Sequence, residues 1–312
     1  MHPMAKRAIG GFIFCLLLQI GQAQYAPSPS FWDRAEEPNR ARVLGLSLAE
    51  GVAITGSYWY LSQIWYAEQG QRDFHFFNDN DSWLQMDKIG HGMTAYYLGY
   101  LNAELYQWAG LDRRSAYWIG AGSSFLFLLG IEIMDGFSEE YGFSNGDLAA
   151  NFAGSALLMG QELLWGEQYL VMKFSYSPSP YPDLEGFSNN LGDYWYDRPL
   201  KDYNAQTYWL SANVNGLSGW DFWPEWLNMA VGYSGDGMLI NSYPNVLYDR
   251  PDLAWVEYQR QFYLAPDIDL RKIPVKSKFL KTLFKGLNFL KVPLPTVEFN
   301  TEQPPQFYWL FF

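Results

Sequence analysis

Four long apolar runs followed by a set of alternating stretches organise the chain. Residues 43–67 hold a single charge, Glu50, among 25 positions. A polar loop separates them from a second run at about 88–109. A third run covers 115–134 and a fourth 147–170. Each is long enough for five or more helical turns and none contains proline, which predicts four helices. Asp112 and Asn145, just ahead of the third and fourth runs, are the expected N-terminal caps.

The pattern then changes period. Residues 174–206 are rich in Pro, Gly, Asn and Asp and read as an extended connector. Beyond it, Tyr208, Leu210, Ala212 and Val214 share one face of a period-two stretch. Leu227, Met229, Val231 and Tyr233 share another, and Val256, Tyr258, Phe262 and Leu264 a third. Such alternation predicts half-buried antiparallel strands. The chain closes on QFYWLFF, an aromatic strand candidate like the end of an outer-membrane barrel, although the strands are too few for a closed barrel. The expected class is α+β, a four-helix bundle followed by short antiparallel strands and one basic amphipathic helix.

That helix is the one basic island in the chain. Between residues 271 and 291 there are seven basic residues and no acid. Phe279, Leu280, Leu283, Phe284, Leu287 and Leu290 form a stripe beside Lys276, Lys278, Lys281 and Lys285. This pattern suits a membrane surface or a partner protein, and equally an ordinary surface helix packed on the strands.

The first residues add a compartment. Lys6 and Arg7 precede the apolar AIGGFIFCLLLQI, and Gly21 and Ala23 put small residues at −3 and −1 of a cleavage point after Ala23. The expected organisation is a signal peptide over 1–23, a helical domain over 24–172, the connector over 173–206 and a strand-rich region over 207–312. Cys15, the only cysteine, lies inside the leader and not at the cleavage point, so the mature chain is expected to hold no thiol. Losing Lys6 and Arg7 takes the formal charge from −12 to −14, which argues against nucleic acid as a partner. With 14 Trp, 23 Tyr and 22 Phe, the aromatic load fits either a lipid–water boundary or a large aromatic core. Were the helices to span an inner membrane, the loops facing the cytoplasm would hold Arg72 as their only basic residue, reversing the positive-inside bias. The expectation is an exported protein of the outer membrane or its periplasmic face, with envelope proteins or lipid as partners.

Ionisable residues gather at three helix ends. Asp87 and His91 are four apart at the head of the second helix. Glu132 and Asp135 are three apart at the end of the third, and Asp147 and Asn151 four apart at the head of the fourth. Residues at these spacings share a helix face. An imidazole among carboxylates can act as a general base, with His91, Asp87, Glu132 and Asp147 as the catalytic candidates. The same four could hold manganese, iron or zinc, although no cofactor is required. A purely structural network that fixes helix register accounts for the residues as well.

The stretches DKIGHGMTAYY and IEIMDGFSEEYGFSNGDLAAN, with Gly154 three residues on, resemble the YfiM-like predicted periplasmic lipoproteins, a family of unsettled function whose helical core is similar to the VanZ-like family. The shared pattern falls on Asp87, Lys88, His91, Glu132, Asp135, Asp147, Asn151 and Gly154, within roughly residues 80–165. The resemblance implies an envelope protein and a helical core; this chain departs from it in lacking a lipobox.

Overall fold

A computed structural model describes residues 30–64, 70–240 and 250–312. The leader, its cleavage point and Cys15 lie outside these residues. The long helices are α1 (Arg40–Ile64), α2 (Met86–Trp108), α3 (Arg113–Asp135) and α4 (Asn145–Trp165), and the two-residue strands β1 (Phe76–Phe77) and β2 (Phe143–Ser144) precede α2 and α4 in the chain. Asp112 caps α3 as expected, accepting from the Ser115 amide at 3.0 Å. The cap of α4 is Ser144, one residue before the expected Asn145, and its hydroxyl accepts from the Asp147 amide.

The helical content exceeds a four-helix bundle, since eight α-helices occur among the described residues. Residues 173–206 are not extended. They hold the end of strand β3 (Leu170–Tyr176) and the single-turn helices α5 (Ser188–Leu191) and α6 (Arg198–Lys201), the second started by Pro199. Proline and glycine there mark tight turns, not open chain.

Contacts divide the chain into two compact units, one of residues 1–77 and 98–143, the other of 78–97 and 144–312. In the first, the only charge of the first apolar run has specific partners. Glu50 accepts from Asn102 at 2.6 Å and from the Tyr106 hydroxyl at 2.9 Å, while Asn102 also donates to Ser123. A side chain on Gly120 of α3 would overlap the Gly99 carbonyl of α2, so the two backbones meet there. Among the described residues α3 is the helix long and apolar enough to cross a membrane, and 39% of its apolar window is buried. Helix α1 falls short because Ser, Thr, Tyr and Gln dilute its apolar residues.

The second unit is built on a six-stranded antiparallel sheet. Strands β3, β4 (Gln206–Asn213), β5 (Leu227–Asp236), β6 (Gln259–Ile268), β7 (Leu294–Asn300) and β8 (Gln306–Phe311) lie side by side in chain order. The sheet is strongly curled. Phe311 on β8 packs 5.9 Å from Trp209 on β4, although four strand spacings on a flat sheet would be about 19 Å. The period-two expectation holds, with two exceptions. Val214 begins helix α7 (Val214–Ser218), capped by Asn213, and Val256 and Tyr258 precede β6.

Which face is buried inverts the expectation. Met172, Leu210, Val231, Leu264, Val297 and Phe307 are successive cross-strand partners, an unbroken apolar row over all six strands. This row faces outward, with Val231 56% and Phe307 54% exposed. The covered face carries Lys173, Ser175, Ser211, Asn213, Asn228, Asp267, Thr296 and Glu298 beside Trp209 and Tyr263, all buried. Inside the curl, Lys173 meets Asp267 at 2.8 Å and donates to the Ile268 carbonyl, Ser211 donates to Asp267, and Lys291 donates to the Pro266 and Val292 carbonyls. Burial of so many polar groups is tolerable because most of them satisfy one another, Asp267 Oδ1 being an exception among the described residues.

The basic segment forms α8 (Lys278–Leu287), capped by Ser277. Its C-terminal end is tied to the sheet. Asn288 accepts from the Leu270 amide, and residues 289–291 run along the free edge of β3, the Phe174 amide donating to the Phe289 carbonyl at 2.7 Å.

Candidate functional site

The site occupies the start of α2 and the start of α4, both within the second unit. The two helices touch through glycine. A Cβ on Gly154 would overlap the Gly92 carbonyl oxygen, and one on Gly92 would stand 3.3 Å from the Ala150 carbonyl. With no side chains between the backbones, the residues one turn toward the N-terminus of each helix are brought face to face.

A strained turn aims α2. Trp83, Leu84 and Gln85 all have positive φ, at 49°, 50° and 63°, a conformation that side chains other than glycine disfavour. Three consecutive left-handed residues cost several kcal/mol at about 1–2 each, so neighbouring structure must hold them. The sheet does so. Tyr233 donates to the Leu84 carbonyl at 2.5 Å, Arg260 donates to the Gln85 side chain at 2.6 Å, and Trp83 packs on Tyr203.

Lys88 is the centre of the cluster that this turn presents. Its ammonium lies 2.6 Å from Asp79, 2.9 Å from Asp147 and 3.2 Å from Asp87. Gly146 leaves room for the lysine stem, since a Cβ there would meet Lys88 Cε at 3.0 Å. Ser144 joins two of the acids, donating to Asp79 while it caps Asp147. His91 lies beside this group, with Nδ1 at 3.1 Å from Asn151 Oδ1 and Nε2 at 3.8 Å from Asp87 Oδ1. Tyr203 donates to the same Asp87 oxygen at 2.7 Å, and the Tyr208 hydroxyl, bound to Gln206, closes over Gly90.

The two carboxylates beside Lys88 differ in proton affinity. Burial and then the charge of Asp87 push Asp147 up to about 7, against the opposing pull of His91 and Lys88. Burial also raises Asp87, but His91, Lys88 and the Tyr203 hydroxyl outweigh it and hold this carboxyl below its ordinary value. Tyr203 is pushed well up by burial and by Asp87, so it remains a phenol that donates. Neighbouring carboxyls with separated proton affinities are an arrangement suited to acid–base work. Asn151 is completely buried, and its Nδ2 has no hydrogen-bond partner among the described residues.

Asp87, His91 and Asp147 could offer a metal three ligand atoms within 4.8 Å of one another. Lys88 opposes it. Its ammonium already bridges both carboxylates, and a divalent ion placed between them would meet that positive charge at close range. While Lys88 stays there the donor set does not suit a metal.

The sequence-predicted residues divide accordingly. Asp87, Lys88, His91, Asp147, Asn151 and Gly154 come together. Glu132, which is buried, and Asp135 end α3, in the other unit. Asp79, Ser144 and Tyr203 were not singled out by sequence. Asp79 lies in the acidic NDND loop, which is a weak signal, and nothing in spacing marks Tyr203, which comes from 116 positions away along the chain.

Residues 73–160 match a family described as predicted periplasmic lipoprotein (DUF2279), of unknown function. The match spans the site helices and stops before the sheet. It agrees with an exported, envelope-associated protein. No curated protein and no solved structure matches the chain.

Proposed function

We propose that this chain is a non-enzymatic component of an envelope assembly, seated at the outer membrane or its periplasmic face by the outward surface of its sheet. The observation that carries this reading is the inverted sheet, with a continuous apolar row outside and buried lysine, aspartate, asparagine and serine inside. A sheet in water normally buries its apolar side, whereas one that meets lipid places apolar residues outward and polar ones inward. The helices of the motif are, in this reading, the counterpart of the YfiM-like and VanZ-like core, and they serve to meet partner proteins. The test is fractionation of cell membranes. The wild-type protein should need detergent for release and should leave the membrane with partner proteins. The pair Val231→Asp and Leu264→Asp should shift it to the soluble fraction. A monodisperse wild-type monomer in the absence of detergent would sink the proposal.

A second reading has its own observation, the separated proton affinities of Asp87 and Asp147 beside His91. In it the cluster is an acid–base site acting on an envelope lipid or glycan phosphate, with His91 as base, Asp87 orienting it and Asp147 as the proton donor. His91→Ala should then abolish function at unchanged abundance. Loss of protein and function together would return the cluster to a structural role.

A further inference from the structure

The apolar face of the basic helix α8 is only partly covered by the protein, with Phe284 half-buried and the leucines of the stripe exposed. Phe279, Leu280, Leu283 and Leu287 lie on one side at helical spacing, with Lys278, Lys281 and Lys285 on the other. In a helix that packs on its own protein, the apolar side is buried. Here none of the helix residues is buried, and Leu280, Leu283 and Leu287 are 37–38% exposed. Leu290, just beyond, is 41% exposed and continues the stripe. The backbone after the helix is nevertheless fixed, through Asn288 and residues 289–291 on the β3 edge, so the exposed stripe sits on a rigid mount.

Charge decides what covers the stripe. The whole chain is acidic, at −12, yet residues 271–291 contain seven basic residues and no acid. Of the seven, Arg271 and Lys291 are tied inward, to Asp269 and Asp267, which leaves Lys272, Lys276, Lys278, Lys281 and Lys285. An anionic surface repels such a molecule in most orientations and attracts it in one, with this segment facing the surface. An apolar stripe flanked by lysines is the form of a helix lying in the interface of an anionic bilayer, its leucines among the acyl chains and its ammonium groups at the phosphates.

We infer that α8 docks on the phosphates of anionic lipid headgroups, with Leu280, Leu283 and Leu287 entering the bilayer and Lys276, Lys278, Lys281 and Lys285 supplying the charge. The inference rests on the membrane-seated reading above and adds the lipid class and the orientation. Each lysine near an anionic surface strengthens binding roughly fivefold, so the four together should give a preference well above tenfold.

Vesicle flotation of the full mature protein tests it, with phosphatidylcholine alone and phosphatidylcholine mixed two to one with phosphatidylglycerol. Wild type should bind the anionic vesicles at least tenfold more tightly, and high salt should erase the difference. Replacing Lys276, Lys278, Lys281 and Lys285 by Gln should reduce binding to the neutral-vesicle level, whereas Arg at the same four positions should keep the preference. Unchanged near-ultraviolet circular dichroism shows that the variants are folded. Equal binding of wild type to both vesicles, or a Gln variant that keeps the preference, overturns the inference. The Val231→Asp, Leu264→Asp pair separates the two ideas, because it should weaken binding to both kinds of vesicle. If that pair has no effect while the lysines still control binding, the sheet reading fails and the helix inference stands.

Discussion

Two lysine–aspartate clusters lie in one unit of this chain, and they are closed off to different degrees. Lys173 and Asp267, inside the curled sheet, are fully buried; the Ile268 carbonyl accepts from Lys173 and Ser211 donates to Asp267. Burial pulls the Lys173 ammonium below its ordinary value, and it pushes Lys291 down to about 8. Lys88, between the helices, is shared among three carboxylates, keeps 12% of its side chain exposed and is pushed above its ordinary value because those charges outweigh burial. One cluster is a sealed filling for a sheet whose apolar side faces out. The other is open at one edge, includes an imidazole and contains a carboxyl that titrates near neutrality. Similar residues thus give a scaffold in one place and a protonation-sensitive contact in the other.

The largest effect that would sharpen this contrast comes from the sealed cluster. Asp267→Ala leaves the ammonium groups of Lys173 and Lys291 facing each other without their carboxylate, and it should destabilise the protein by about 3–5 kcal/mol in denaturant unfolding. A loss under 1 kcal/mol would mean that the interior is wetter than described. Lys88→Met should cost less, about 2–3 kcal/mol at pH 8, and clearly less at pH 5.5. There Asp147 can take a proton and end its repulsion with Asp87. If the cost were the same at both pH values, the helix cluster would be as inert as the sheet cluster.

Gly154→Ala should cost about 1–3 kcal/mol, because the methyl group must displace the Gly92 carbonyl. It should also weaken the link between α2 and α4, read as faster amide exchange at the start of both helices. A further effect is in the pH profile of Asp147→Asn. In the wild type this carboxyl has a higher pKa folded than its ordinary 3.8, so its contribution to stability is present below about pH 4 and is lost as pH rises through about 7. The Asn variant should flatten that slope, by on the order of 2 kcal/mol between pH 5 and 8. An unchanged slope would place the titration elsewhere.

The sequence carried some of these features in legible form and concealed others. Helices α1 to α4 could be read because proline-free apolar runs leave few alternatives. The pairs Asp87/His91 and Asp147/Asn151 could be read because four-residue spacing fixes a shared face. The alternation at Tyr208–Ala212 and Leu227–Tyr233 announced strands, but period two says only that the faces differ. Which face is covered depends on the curl that brings Phe311 to Trp209, a contact between residues about a hundred positions apart. Lys173 and Asp267 were invisible for the same reason, since each looks like a surface charge until the sheet closes around it. Glu132 shares the acid pattern, but helix periodicity by itself does not assign one helix end to another.

The turn at Trp83–Gln85 also orders events in time. Its three left-handed residues are held by Tyr233 on β5 and Arg260 on β6, which are about 150 and 175 positions further along the chain. Until that hairpin exists, only Tyr203 packing on Trp83 is available to restrain the turn that sets the starting direction of α2. A chain emerging from synthesis or from an export channel therefore makes its site helix early but aims it late. Lys88 and Asp147 are 59 positions apart and Tyr203 and Asp87 are 116 apart, so the cluster cannot be completed until the chain beyond residue 203 is present.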